Sequence, residues 1–429
     1  MDSLAAFVSW PTAPLTNRLV LDALASLPQP PKVVGSLPDH AAAPRLLHLV
    51  VSYVIRKALI RKHFLSRCIH NYLTKHPTSA LNRGVPRTWE LELSFADELD
   101  ELWSDDLYDL ANEIEKNDPA QWWILKPGMA DRGMGLRLFH SKEDLEAIFQ
   151  EFEQDESDAE GETADVPDTA VATSQLRHFV IQEYLAKPLL LDPSEVPLDD
   201  SPKPAVGSLH GHKFHLRVYC IASGAIKVYM YDRILALFSA VPYKERGEAG
   251  VRLLDELVGC HVLSAPQQPR KRHAMGKMMD PSERHNPRLQ VSGPPVFSQD
   301  DVADLKAQIS DLLAETFKAA VEMSVHFQPL PNAFELYGID FVVTHSPEGP
   351  RHLRANILEV NSEPAIELTG PRLTWILEDL FKSISKTCVE PFFSTDGSLA
   401  SEVKSLRVGE TRCNLRKCLD LPVRGAQGW

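Results

Sequence analysis

Two apolar stretches, FELYGIDFVV and NILEVNSEP, constrain the fold most, because each alternates like a strand while carrying polar groups a strand core does not tolerate. The first predicts a strand over Leu336–Val343 with Asp340 set among Tyr, Ile, Phe and Val. The second predicts a strand over 353–361. Side chains alternate with period two, so Glu359 and Asn361 project from one face while Leu358 and Val360 project from the other. Pro364 bars the ladder from continuing, which puts the oxygen-bearing face at a strand end beside a loop. The connection THSPEGPRHLRA is short enough for the two strands to pair antiparallel, and paired strands bring Asp340, Glu359 and Asn361 to one point. Two carboxylates and an amide oxygen suit a hard divalent cation such as Mg²⁺ that shares its shell with water and substrate phosphates. An ion pair of these acids with Arg351 or Arg354, or a strand edge of solvated carboxylates, fits the same spacing.

Composition narrows the function classes. The 429 residues carry 59 acidic and 45 basic side chains, a net charge of −14, which argues against a general or sequence-specific nucleic-acid binder. The six cysteines are scattered without a CxxC pair, which reads as reduced thiols rather than a disulfide framework or zinc site. The stretch MDSLAAFVSW has an acid where a signal peptide needs a base, and no apolar run reaches the roughly 18 residues of a membrane span, so a cytoplasmic protein without a membrane partner is expected.

Along the chain, the stretch LPQPPKVVGSLPDHAAAP reads as a surface connector. RLLHLVVSYVIRKALIRKHFLSRCIHNYLTKH follows with helical periodicity and bases at Arg56, Lys57, Arg61, Lys62 and Arg67, either a solvated face or a binding patch. Nine acids and no Lys or Arg between Glu151 and Ala170 predict a disordered loop, and the base-rich segment within 265–293 an irregular insert. Strand-like segments at 122–126, 179–183, 213–221, 225–231, 336–343 and 353–361, with a long helix in DDVADLKAQISDLLAETFKAAVEMS, give an α+β chain. The expected division is an N-terminal domain over 1–115, a central subdomain over 116–208, a C-terminal subdomain over 209–390 and a tail over 391–429.

Three further segments carry polar chemistry. WWILKPGMADRGMGLRLF runs from an apolar strand through Lys126 into a loop with glycines at 128, 133 and 135 and Arg132, which suits an anion or simply a hairpin. It lacks GK[ST] and is no Walker A loop. HFVIQEYLAKPLLL is an apolar strand ending in Gln182 and Glu183, whose following backbone suits an adenine edge. In HKFHLRVYCIAS, Lys213, His215 and Arg217 share one face and Phe214, Leu216 and Val218 the other, giving an anion site or a solvent-facing strand.

Taken in order, WWILKP, VIQEYLAKPLLL, KFHLRVY, FELYGIDF and ILEVNSEP resemble the blocks of the tubulin–tyrosine ligase-like family, especially its fungal members, over roughly residues 50–385, and RKALIRKHF resembles its N-terminal basic motif. The resemblance implies an ATP-grasp fold, two α+β subdomains closing on ATP behind a small N-terminal domain. It implies Asp340, Glu359 and Asn361 as magnesium ligands, Lys126 and Lys213 as phosphate contacts, and Gln182, Glu183 and Leu185 within the adenine hinge. Arg217 matches the motif arginine that holds phosphate or acyl phosphate. The implied reaction joins a carboxylate to an amine: ATP phosphorylates the carboxylate and the amine displaces the phosphate, with an amino acid and a protein such as the tubulin tail as substrates. Magnesium and the lysines would supply mostly electrostatic stabilisation.

Three departures stand against that pattern. His215 occupies the aspartate position of KFDLR; Leu237 stands near where the family has an arginine beside the reacting carboxylate, leaving Arg233 to serve from another angle; and HLTN is reduced to HVLS, with Leu263 in place of the threonine. The metal set is complete while the acyl side is eroded. An alternative is therefore an ATP-binding scaffold without turnover, associated with RNA-granule proteins of cytoplasmic mRNA-processing bodies.

Overall fold

A computed structural model describes residues 5–8, 13–36, 46–49, 53–93, 95–128, 135–159, 178–197, 202–239, 251–263, 295–331, 333–346, 352–362, 364, 366–369, 371–393 and 406–423. The chain begins with a parallel three-stranded sheet, β1 (Ala5–Val8), β2 (Lys32–Val34) and β3 (Leu46–Leu49), in the order β2-β1-β3. Helix α1 (Pro14–Ala25) makes the crossover and buries Val20 and Leu24 with Ala6. The proline-rich connector thus contains β2. The expected single helix after it is also divided: Leu46–Leu49 pair with β1, and the helical stretch breaks at Arg61, whose extended backbone separates α2 (Lys57–Ile60) from α3 (Lys62–Lys75). Helix α4 (Leu81–Gly84) follows.

The next sheet has the order β4-β7-β5-β6, all antiparallel, from β4 (Thr88–Glu92), β5 (Trp123–Pro127), β6 (Arg137–Phe139) and β7 (His178–Glu183). Trp123, Leu125, Phe139, Phe179 and Ile181 point to one face, which is covered by residues of α5 (Leu99–Leu102), α6 (Tyr108–Glu115) and α7 (Lys142–Ala159). Strand β4 and helices α5 and α6 therefore belong with the central sheet although a boundary was expected at 115. The acidic insert needs correcting too. Residues 151–159 continue α7, because Leu145, Ile148, Phe149 and Phe152 anchor that helix to the core at helical spacing. The rest of the insert, and all of 265–293, lie outside the described residues.

The largest sheet runs β11-β10-β8-β9-β15-β14, with β12 joined to β8 and β13 to β12. Its strands are β8 (Phe214–Ser223), β9 (Lys227–Tyr231), β10 (Leu235–Phe238), β11 (Val251–Leu253), β12 (Phe334–His345), β13 (Leu353–Asn361), β14 (Thr411–Arg412) and β15 (Leu415–Asp420). The expected tail thus supplies two strands. One face, with Phe214, Leu216 and Val218, packs on α3 and on α8 (Gln299–Glu322), which starts from a reciprocal Ser298–Asp301 capping box. The other face has Tyr219, Tyr231 and Leu235 under α9 (Thr374–Ile384), whose Ile376, Leu377 and Leu380 are buried; the short α10 (Glu390–Phe393) follows. The functional candidates lie on this second face, beside α9.

Candidate functional site

Strands β12 and β13 pair antiparallel as expected, with Asp340 opposite Glu359 and Gly338 opposite Asn361. Asp340 is also opposite Arg217 across β8, so one row of the sheet carries Glu359, Asp340 and Arg217. The three expected ligands come together. Asn361 Nδ2 lies 3.3 Å from Asp340 Oδ2 and 3.4 Å from Glu359 Oε1. The amide presents its nitrogen to the two carboxylates, so ligation of a cation through Oδ1 needs the amide turned over. Of the two alternative partners, Arg354 donates to Ser346 Oγ at 3.3 Å instead, and Arg351 lies outside the described residues.

Arg217, expected to face phosphate, forks onto Asp340 instead, with Nε to Oδ1 at 2.5 Å and Nη2 to Oδ2 at 2.9 Å. The pair is buried, 15% and 6% exposed, and although burial opposes it the carboxylate keeps the guanidinium more basic than usual. Gly338 is needed beside it, since a Cβ there would lie 2.6 Å from Pro364 and 3.1 Å from Arg217 Cδ. His215, in the next row, has Nε2 3.9 Å from Asp340 Oδ1. Burial, helped by Arg217, lowers its pKa and keeps the ring neutral, while Asp340 and Glu359 act the other way.

One base of the basic segment contributes here, while Lys57 and Arg67 are exposed. Lys62, the first residue of α3, places Nζ 3.4 Å from Glu359 Oε2. Burial raises the Glu359 pKa, but Lys62 and Lys126 together outweigh it and hold the carboxyl below its ordinary value. Arg56 is spent on buried Glu335 and Arg67, itself exposed, forks onto Glu90, so three of the five bases are paired with acids of this chain. Lys62 was legible only as one base among five, because nothing in the local pattern shows that β13 passes its side chain.

On the central sheet, the face opposite the core carries Lys126, Gln182, Ile124 and Leu138, with Gln182, Ile124 and Leu138 in one row. Leu138 is 50% exposed and Trp122 37%. Lys126 Nζ donates to Gln182 Oε1 at 2.6 Å, and Gln182 Nε2 to Thr88 Oγ1 at 3.0 Å. Burial, with Lys62 adding to it and Glu359 opposing, lowers the Lys126 pKa to about 8. Lys213 bonds the Tyr184 hydroxyl and sits 4.6 Å from that ring's centre. Glu183 is tied to Arg87 and Leu185 is half-buried. Gly128 opens the glycine-bearing loop against His63 and His178; Arg132 and Gly133 lie outside the described residues.

Among the described residues no group of three or more His, Cys, Asp or Glu is placed to hold a metal. A cation here would use the two carboxylates and Asn361 and complete its shell from a ligand. Arg217, Lys62 and Lys126 outnumber the carboxylates, so the cleft favours an anion that brings its cation with it. An apolar sheet face leading to clustered cations has the chemistry of a base followed by phosphates.

Residues 44–397 match the tubulin-tyrosine ligase family. The chain belongs to this family. Among proteins similar to this member, the probable tubulin–tyrosine ligase PBY1 of Saccharomyces cerevisiae is 34% identical over 386 residues, 87% of this chain and 46% of its own length. A probable tubulin–tyrosine ligase of Schizosaccharomyces pombe is 34% identical over 360 residues, 81% of this chain and 78% of its own. The chain therefore spans under half of the first and most of the second. The crystal structure of the C-terminal domain of K. lactis Pby1, described as an ATP-grasp enzyme interacting with the mRNA decapping enzyme Dcp2, superposes with a TM-score of 0.58 at 26% identity, covering 97% of this chain and 99% of that one. The fold of this family member is accordingly ATP-grasp, as the order of its sequence blocks implied.

The departures from the family pattern also take structural form in this member. Leu237 pairs with His215 across β10 and packs with the apolar cluster under α9. Arg233 does not replace the missing arginine, because it turns to Asp379, 3.4 Å away, and stacks on Trp375. Leu263 bridges to Leu190, and His261 bonds Glu195 through backbone N at 2.8 Å and Nδ1 at 2.6 Å, so the described part of HVLS serves to hold the loop after β7.

Proposed function

We propose that this chain is an ATP- and Mg²⁺-dependent carboxylate–amine ligase that adds an amino acid to a protein acceptor. The observation that carries the reading is the meeting of Asp340, Glu359 and Asn361 with Lys62, Lys126 and Arg217 from three separate parts of the chain. Asp340, Glu359 and Asn361 would hold magnesium, which when bound neutralises charge on the transferred phosphoryl group. Lys126 and Lys62 would stabilise the phosphate oxygens, and Ile124, Leu138 and the backbone after Gln182 would seat the base. Arg217 fixes the Asp340 carboxylate in place. In this reading the cations are set before the nucleotide arrives, so the site reorganises little when charge develops.

Calorimetry with ATP tests it, with Mg²⁺ and with chelator, on the wild type and on Glu359→Gln. The expected result is micromolar affinity, about −8 kcal/mol, weakened at least about tenfold, roughly 1.4 kcal/mol, by chelator or by the substitution. Absence of ATP binding in every condition refutes the reading.

A second reading is favoured by the acyl side. With Leu237 in an apolar cluster and Arg233 turned away, the protein would bind ATP as a scaffold without turnover, in a decapping context like that of the K. lactis relative, which interacts with Dcp2. Tubulin as acceptor rests on family names alone. Leu237→Arg separates the readings: a gain in incorporation of radiolabelled amino acid into protein marks an eroded ligase, and no gain favours the scaffold.

A further inference from the structure

Helix α3 reaches the candidate site at its first residue, Lys62, and its last turn packs beside the last turn of α8. A cavity of about 380 Å³ lies between these two helix ends, and none of its lining residues belongs to the site described above. Its mouth at Lys75 is about 20 Å along the helix from Lys62, by the rise per residue. The floor is apolar and soft: buried Cys68, Tyr72 and Ala319 meet the half-buried Met323. Exposed Asn71 and Lys75 stand at the opening with Glu322, whose carboxylate accepts from Lys75 Nζ at 3.0 Å and lies 3.1 Å from His76 Nε2. The volume falls in the range of sites that hold small organic molecules.

Charge and chemistry select among such molecules. Two helix C-termini converge here, and each presents the negative end of its dipole. The Glu322 carboxylate adds to them, and its charge reaches the floor: burial, and after it Glu322, pushes the Cys68 thiol up to about 12. Lys75 opposes this field only from outside. Its side chain is 64% exposed and that of Glu322 37%, and an exposed ion pair of this kind holds its partners weakly, so a ligand ammonium can take the place of Lys75. The Tyr72 ring and the two sulfur atoms suit the body of such a ligand, because aromatic faces attract cations and sulfur packs well against aromatic rings. A thiol held protonated at this depth is no nucleophile, so binding here is non-covalent.

We propose that the cavity between the ends of α3 and α8 is a binding site for a small organic cation, a protonated amine on an aromatic body. The ammonium pairs with Glu322, and the ring lies on Tyr72, Met323 and Cys68. This site stands apart from the ligase and scaffold readings and depends on neither.

Calorimetry on the full chain near neutral pH, with phenethylamine, 2-phenylethanol and 3-phenylpropionate as probes, tests it. The amine binds at least about tenfold more tightly than the alcohol or the acid. Glu322→Gln removes that preference, and Asn71→Trp, which closes the mouth from an exposed position, weakens the amine about fivefold or more; both variants keep the thermal unfolding and ATP affinity of the wild type. Lys75→Met, which keeps the stem and frees Glu322, strengthens the amine about threefold or more. Equal affinity for amine and alcohol, no amine binding at millimolar concentration, indifference to both Glu322→Gln and Asn71→Trp, or weaker amine binding in Lys75→Met overturns the proposal. So does tighter binding of the acid, which would make the cavity an anion site, or displacement of the amine by Mg-ATP, which would place it in the nucleotide cleft. Amine binding in a chain that does not bind ATP leaves this site standing while the ligase reading falls.

Discussion

Asp340 has two roles to reconcile, because the carboxylate proposed as a magnesium ligand accepts both ends of the Arg217 fork. In the buried pair neither charge is tolerable alone. Removing one partner of such a pair costs about 3 kcal/mol or more, since the other charge is left without water or counterion. We expect Asp340→Ala to destabilise the protein by about 3 kcal/mol in urea unfolding, and Arg217→Leu added to it to recover part of that loss. Additive losses would show that the two side chains stabilise the fold separately. The alternation in FELYGIDF made Asp340 legible, and LEVN did the same for Glu359 and Asn361, because period two is a local property. Lys62 and the diversion of Arg233 were not legible, because each depends on an element distant in sequence passing by.

At the scale of elements, strands were read better than the segments between them. The pairing of β12 with β13 follows from a short connection and a proline stop, while β2 lay hidden in a proline-rich stretch because three residues carry too little periodicity to show. The acidic run read as disorder from its composition, yet its first part continues α7 because the apolar residues that hold that helix precede it. Strand β15 was missed because its partner β9 is nearly two hundred residues away in the chain, and pairing at that range leaves no local trace; β14, which pairs only with β15, is two residues long and too short to show a period. The contact between α3 and the glycine-bearing loop is of the same kind. A Cβ on Gly128 would stand 2.6 Å from His63 Nδ1 and 2.9 Å from the His178 carbonyl, which is backbone and does not yield. His63 is buried, and burial together with His178 lowers its pKa to about 4, so it packs as a neutral ring. Gly128→Ala is therefore expected to cost about 1–3 kcal/mol of stability and to weaken ATP binding. Gly207→Ala, with nothing within 4 Å of its Cβ, is the control that changes neither. Equal ATP affinities would show that this contact does not position the loop.

For the molecule as a whole, the segment from Arg56 to Lys75 ties the sheets to one another. Arg56 reaches Glu335 on β12, Lys62 reaches Glu359 on β13, Arg67 reaches Glu90 on β4, and Lys75 reaches Glu322 on α8. The exposed members contribute little each, in the range of about 0–1 kcal/mol, but the Arg56 contact is different because Glu335 is only 5% exposed. Burial raises the Glu335 pKa from 4.5 to about 7, and the opposing pull of Arg56 and Tyr337 does not cancel it. A carboxyl whose pKa is higher folded than unfolded binds its proton more tightly in the native state. Its contribution to stability is fully present below pH 4.5 and is lost as pH rises through 7. The full swing is about 3 kcal/mol, from roughly 1.4 kcal/mol per pKa unit. Other carboxylates titrate in the same range, so the wild type is compared with Glu335→Gln, which keeps the shape and cannot ionise. Between pH 5 and 8 the wild type is expected to lose up to about 3 kcal/mol relative to the variant in denaturant unfolding. A difference that does not change with pH would mean that Arg56 keeps Glu335 ionised throughout, and that this buried tie between the N-terminal segment and β12 is a true ion pair at every pH tested.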